Sequence, residues 1–171
     1  MASQGGQSYP TRYAMILFPG FQALDVFGPL EVLNLVATAY KLKLYLIAST
    51  LDPVSTQAQS MPRPSSIAQS ILPTHTLDGP PEDVEVLIIP GGGGTRNIEA
   101  TQPIIDYIKE VFPKLRYFLT ICTGSALAAR AGVLDGKRAT TNKGAFTWVS
   151  TLDEFLSSLA LGDSVFLSDL E

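Results

Sequence analysis

The stretch YFLTICTGSALAARAG, residues 117–132, decides the fold. Tyr117 to Ile121 is aromatic, aliphatic and β-branched, which reads as a buried strand; Cys122-Thr123-Gly124-Ser125 is the turn; Ala126 to Ala131 is a helix of small residues stopped by Gly132. The same succession occurs upstream. Tyr13 to Phe18 (YAMILF) is a short apolar run closed by Pro19-Gly20, and from Asp25 to Tyr40 apolar residues recur at close to a helical period, with Pro29 placed where only a first turn tolerates it. Val84 to Ile89 ends in Pro90 and the glycines Gly91 to Gly94, and Thr101 can cap a helix over Pro103 to Val111. Lys43 to Ser49 supplies one more strand. Between 50 and 83 seven residues are Pro or Gly, room for a short hairpin and little else.

Strands alternating with helices imply an α/β fold: a mostly parallel sheet covered on both faces, with ligands bound at the carboxyl ends of its strands. Asp25, the Gly91–Gly94 loop and Cys122 each follow a predicted strand, so this architecture directs all three to one edge of the sheet.

At 171 residues the chain suits one domain, and 46% apolar residues with a mean hydropathy of +0.21 can fill a core. No apolar run is long enough to span a bilayer, and the start MASQGGQSYPTRY lacks the basic and apolar segments of a signal peptide. The expectation is a cytoplasmic protein that does not engage a membrane. The net charge of −4 argues against nucleic acid, and it is unevenly spread. All 12 Lys and Arg and 11 acids lie in 1–150, while Asp153, Glu154, Asp163, Asp169 and Glu171 crowd the last 21 residues. The sequence therefore divides into a polar leader (1–12), a domain (13–149) and a divergent acidic tail (150–171), in which Thr151 to Leu161 could form an amphipathic helix before a short extended end.

Cys122 is the only cysteine, which excludes an internal disulfide and any multi-cysteine metal site. A free cysteine is often just a small core hydrophobe. Placed between a buried strand and a helix, however, it faces N–H groups that favour negative charge, and its pKa is expected to fall from about 8.5 toward neutrality. Gly91 to Gly94 offer unobstructed N–H groups to an anion or a developing oxyanion. No Lys-Ser/Thr follows them, as a Walker loop would need, and Arg96 and Asn97 stand where a dinucleotide loop would have its last glycine. Asp25, in the apolar stretch ALDVFGP, is either a helix cap or a proton carrier beside the thiol. Glu31 projects from another side of the helix and reads as structural. His75, the only histidine, lies in the loop LPTHTL, 47 residues before the cysteine; a Cys-His dyad is possible but a turn role is commoner. Lys137, Arg138 and Lys143 read as a solvated face.

Three blocks in order, FPGFQALDVFGPLEV, VLIIPGGGG and ICTGSALAARAGVLDGKRATTN, make residues 13–149 resemble the ThiJ/PfpI family of the class I glutamine amidotransferase-like superfamily. The resemblance implies a flavodoxin-like three-layer α/β/α sandwich, a homodimer, a small-molecule substrate and no metal or organic cofactor. It also implies that Cys122 is the nucleophile of an elbow turn, that Asp25 hydrogen-bonds it, and that Gly92 and Gly93 form an oxyanion or substrate site with the amide of Thr123. Thr123 marks the subgroup. Protease-like and many glyoxalase-like members carry His directly after the cysteine, whereas Cys-Thr-Gly-Ser is similar to isocyanide hydratase and to the ligand domains of some transcription regulators. The expected activity is therefore a lyase adding water to an isocyanide. The alternatives are a non-catalytic or redox-sensing member, or glyoxalase or deglycase activity on methylglyoxal. A DNA-binding regulator is disfavoured because the residues after 150 are too few for a helix-turn-helix domain. Family members continue past TTNKGAFTWV through further sheet structure, so the acidic tail raises the expectation of a truncated or divergent C-terminal part.

Overall fold

The structure is a computed structural model that describes residues 9–58, 66–137 and 139–152 and the backbone of 166–169. Its elements run β1 (Arg12–Ile16), α1 (Ala23–Val36), β2 (Lys43–Ala48), β3 (Val54–Ser55), β4 (Ser70–Ile71), β5 (His75–Thr76), β6 (Val86–Ile89), α2 (Ile98–Val111), β7 (Tyr117–Thr120), α3 (Gly124–Arg130), α4 (Phe146–Val149) and β8 (Phe166–Asp169). The main sheet has the order β5-β2-β1-β6-β7-β8. Its first five strands are parallel, and β8 closes the edge beyond β7 in antiparallel pairing, with Phe166 opposite Thr120 and Asp169 opposite Tyr117. This is the flavodoxin-like α/β architecture. No helix of the described residues is long and apolar enough to cross a membrane.

The strands read as continuous apolar runs because helices cover both faces, and Met15, Ile16, Ile47, Leu87 and Ile89 are fully buried. Helix α2 is amphipathic and turns Ile104, Ile105 and Ile108 inward. Helix α3 is so closely packed that Ala126, Leu127 and Ala128 are all solvent-free, between the sheet on one side and α2 and α4 on the others. Helix α1 is the exception. It buries Val26 and Leu30 while Leu24, Val32 and Leu35 stay exposed.

Local departures from the sequence reading have identifiable causes. Helix α1 begins at Ala23, so Asp25 sits within its first turn and Gln22 holds the cap position without a side-chain bond. Pro29 lies past the first turn, where its ring nitrogen cannot donate to the Asp25 carbonyl. Helix α2 starts at Ile98 rather than near Pro103, because Asn97 supplies the cap: its Oδ1 accepts from the Ala100 N–H at 3.1 Å. The hairpin expected in 50–83 is the β3–β4 pair, while β5 joins the main sheet beside β2. The helix expected over Thr151 to Leu161 falls almost wholly outside the described residues.

The amino ends of the strands are tied by one carboxylate. Glu85 pairs with Arg12 at 3.2 Å and Arg116 at 3.0 Å and accepts from the Thr11 N–H at 2.8 Å. Burial alone would raise this carboxyl, but these partners together overcome it and hold it below its ordinary value. With that end clamped, the carboxyl ends of β1, β6 and β7 are left for chemistry.

Candidate functional site

The three strands that lead into the candidate site are adjacent in the sheet, in the order β1-β6-β7. Asp25 therefore stands on the helix after β1, the glycine loop follows β6, and Cys122 follows β7. The thiol is half-buried and lies on a backbone with φ 53°, the one positive-φ residue other than glycine among the described residues. A left-handed conformation costs a non-glycine residue about 1–2 kcal/mol, so other bonds must impose it. They are present. The Cys122 carbonyl accepts from the hydroxyls of Ser125 at 3.0 Å and Thr141 at 3.1 Å, and the Gly124 N–H donates to Ile121 O at 2.9 Å.

Gly91 brings the acid and the thiol together. Its N–H donates to Asp25 Oδ2 at 3.0 Å, and a Cβ built on it would lie 2.8 Å from Asp25 Oδ2, 2.8 Å from Cys122 Cβ and 2.6 Å from the Thr123 nitrogen. Both side chains thus flank one glycine that has no room for any other residue. Burial raises the Asp25 carboxyl above its ordinary value, against the opposing bond from Gly91. Burial also pushes the Cys122 thiol up, and the neighbouring Asp25 charge adds to this; the Thr123 N–H and hydroxyl and the charge of Arg96 pull the other way without prevailing. The lowering expected from the elbow geometry is outweighed by desolvation. Burial thus disfavours the charged form of both groups.

Gly92 has φ 137° and packs so closely on the turn after β1 that a Cβ would come within 2.3 Å of Gly20 O. Its N–H is engaged, donating to Thr123 Oγ1 at 2.9 Å, and that hydroxyl lies 3.2 Å from Gly92 O. Thr123 is buried and locks the loop to the elbow. Gly93, next in line, borders a cavity of about 160 Å³ that is also lined by Phe21, Gln22, Thr56, Gln57 and Gln69, and no acceptor for its N–H is found among the described residues. The arrangement offers a thiol and an acid packed on Gly91, with the open N–H of Gly93 in the adjoining loop.

His75 is not part of it. Strand β5 lies four positions from β7 in the sheet, and the imidazole packs edge-on against Tyr45 at 5.1 Å, with Nδ1 2.9 Å from Thr74 Oγ1. Glu31 is exposed on α1. Among the described residues no three His, Cys, Asp or Glu side chains cluster as metal ligands. Sequence reasoning missed the particular duty of Gly91, although a glycine directly after Pro90 at a buried strand end was the available signal. It also missed Thr141 and Ser125, whose hold on the Cys122 carbonyl has no local signature, and the stacking of Arg96 and Arg130 on Trp148.

Comparison with known proteins bears on the family and the fold. The isonitrile hydratase of Pseudomonas putida is 34% identical over 131 residues, 77% of this chain and 52% of that protein, so the chain spans about half its length. An HTH-type transcriptional regulator of Mycobacterium tuberculosis is 40% identical over 55 residues, 32% of this chain and 21% of the regulator. The fold matches that of a ThiJ/PfpI family protein from Pseudomonas syringae with a TM-score of 0.72 at 23% identity, over 95% of this chain and 64% of that one. The family profile described as DJ-1/PfpI matches residues 11–156, and since that range takes in β1 through α4, the chain belongs to the DJ-1/PfpI family.

Proposed function

We propose that the protein is a cysteine-dependent hydratase acting on a small isocyanide, with Cys122 as nucleophile and Asp25 as proton carrier. The observation that carries this reading is the close packing of the Asp25 carboxylate and the Cys122 side chain against the same glycine, Gly91. Similarity to an isonitrile hydratase supports the substrate class. In the first step the Cys122 sulfur bonds to the terminal isocyanide carbon while Asp25 relays the thiol proton to that same carbon, giving a thioimidate. Water then adds to the carbon. One of its protons goes to nitrogen and the other to Asp25, the C–S bond breaks, and an N-substituted formamide leaves with the thiolate restored. Gly93, whose N–H has no acceptor among the described residues, is the donor offered to the attacking oxygen, while Gly92 holds Thr123 in place.

The test is to incubate the folded protein with cyclohexyl isocyanide and follow the formyl proton by NMR. In D2O the product is expected to carry deuterium at the formyl carbon, because the proton delivered there comes from an exchangeable acid. No formamide above the uncatalysed rate would remove the hydratase reading.

We further propose that the protein works as a homodimer joined through α1. Leu24, Val32 and Leu35 fall on one stripe of that helix and are 75%, 60% and 63% exposed, an apolar surface that a second copy would cover. Sedimentation velocity is expected to show a dimer at micromolar concentration and a monomer for Leu35→Glu. A monomeric parent protein would overturn the assignment.

A further inference from the structure

Beyond the elbow, one cluster of side chains is left unused by this chemistry. Arg96 closes the 3-10 turn Gly93–Arg96 that leads out of the glycine loop, and its guanidinium carbon lies 4.3 Å from the centroid of the Trp148 ring on α4. Arg130, at the end of α3, approaches the same ring at 5.7 Å and is anchored by a bond from its Nη1 to Thr95 O at 2.8 Å. Two cations are therefore gathered on one indole. Trp148 accounts for part of the attraction, since a guanidinium is drawn to the face of an aromatic ring, but a neutral ring leaves both charges in place. Among the described residues neither arginine has a carboxylate partner, in contrast to Arg12 and Arg116, which both pair with Glu85. Arg96 is also exposed, so its remaining N–H donors stay open to solvent, whereas Arg130 is half-buried and committed to Thr95.

The position of the pair gives it a use. The turn bearing Arg96 starts next to Gly92, which is bonded to the residue after the nucleophile, and the charge of Arg96 reaches Cys122. We propose that Arg96 makes approach to Cys122 selective for small molecules bearing a carboxylate, with Trp148 and Arg130 as the frame that holds its guanidinium in position. A planar guanidinium with open donors suits a carboxylate, which it can meet with two parallel hydrogen bonds. The inference deepens the hydratase reading by naming an anionic isocyanide as its substrate class, and it rests on Cys122 being the group that reacts.

Its test does not depend on turnover. Iodoacetate and iodoacetamide alkylate a thiolate by the same displacement of iodide and differ in charge, and Cys122 is the sole cysteine, so intact mass reads it cleanly. The ratio of their rates at one pH cancels the thiolate fraction and reports the local potential. In Arg96→Gln this ratio is expected to fall about three- to tenfold at low salt, and in Arg96→Lys, which keeps the charge, to stay near the parent value. Raising the salt should shrink the parent ratio toward that of Arg96→Gln. An Arg96→Gln ratio equal to the parent's would overturn the proposal and leave Arg96 as packing against Trp148. In parallel, hydration of isocyanoacetate is compared with that of its neutral ethyl ester. Hydration of neither removes the hydratase reading while the alkylation ratio still decides the charge reading; hydration of both with an unchanged ratio does the reverse.

Discussion

Cys122→Ala is expected to abolish formamide production, by about a thousandfold or more, from a chain whose stability stays within about 1 kcal/mol of the parent. The loss follows from the chemistry: without sulfur no covalent thioimidate forms, and the isocyanide carbon meets only unactivated water. Stability should be spared because alanine inherits the same left-handed conformation and the bonds that impose it, from Ser125 and Thr141, run to the backbone carbonyl. Asp25→Asn adds a signature that general damage would not produce. Its carboxylate charge raises the Cys122 thiol, so removing that charge should move the pH midpoint of alkylation downward and speed labelling at neutral pH. Hydration should slow in the same variant, since amide replaces the acid that delivers the proton. Formamide production by a folded Cys122→Ala protein at the parent rate would end the covalent mechanism. An alkylation midpoint that moves upward in Asp25→Asn would end the placement of the Asp25 charge beside the thiol.

The largest expected effect on folding comes from one methyl group at Gly124. A Cβ there would lie 2.3 Å from Ile89 O and 3.0 Å from Pro90 O, both backbone atoms that cannot step aside without moving β6 or α3. Gly124→Ala is expected to destabilise the protein by about 3 kcal/mol or more, a large share of the roughly 5–15 kcal/mol that holds a domain together. Denaturant melts followed by circular dichroism would measure it. Gly28→Ala is the matched control. Its Cβ would meet only Leu24 Cδ1 at 3.7 Å, an ordinary contact, and in the interior of α1 alanine should gain about 0.5–1 kcal/mol from its better helix propensity. Equal melting curves for the two variants would show that the close approach of α3 to β6 is not what limits this position.

Much of this was legible in the chain because the deciding signals are local. Apolar runs marked β1, β2, β6 and β7, two of them closed by Pro, and their alternation with helices directed Asp25, the glycine loop and Cys122 to one edge. Helix starts were less legible. Asn97 and Thr101 are both capping residues four apart, and it is Asn97 whose side chain accepts from the Ala100 N–H. The sign of the Cys122 shift was not legible at all, because the elbow geometry is local whereas the desolvation that outweighs it comes from elements packed around the turn. Thr141 and Trp148 belong to the same class: each acts across a distance in sequence that no periodicity or motif encodes.

The two margins of the sheet carry a consequence for how the protein stays out of aggregates. A row of open N–H and C=O groups along a strand is a template on which another chain can grow, and the inner strands here are apolar enough to make such growth favourable. At one margin that row is reduced to the two residues of β5. At the other the reversed strand β8 covers Tyr117–Thr120, the strand that delivers Cys122. Should residues 166–169 come away, an aromatic and β-branched row would open beside the nucleophile. Protection against self-assembly and the integrity of the elbow would then be lost together.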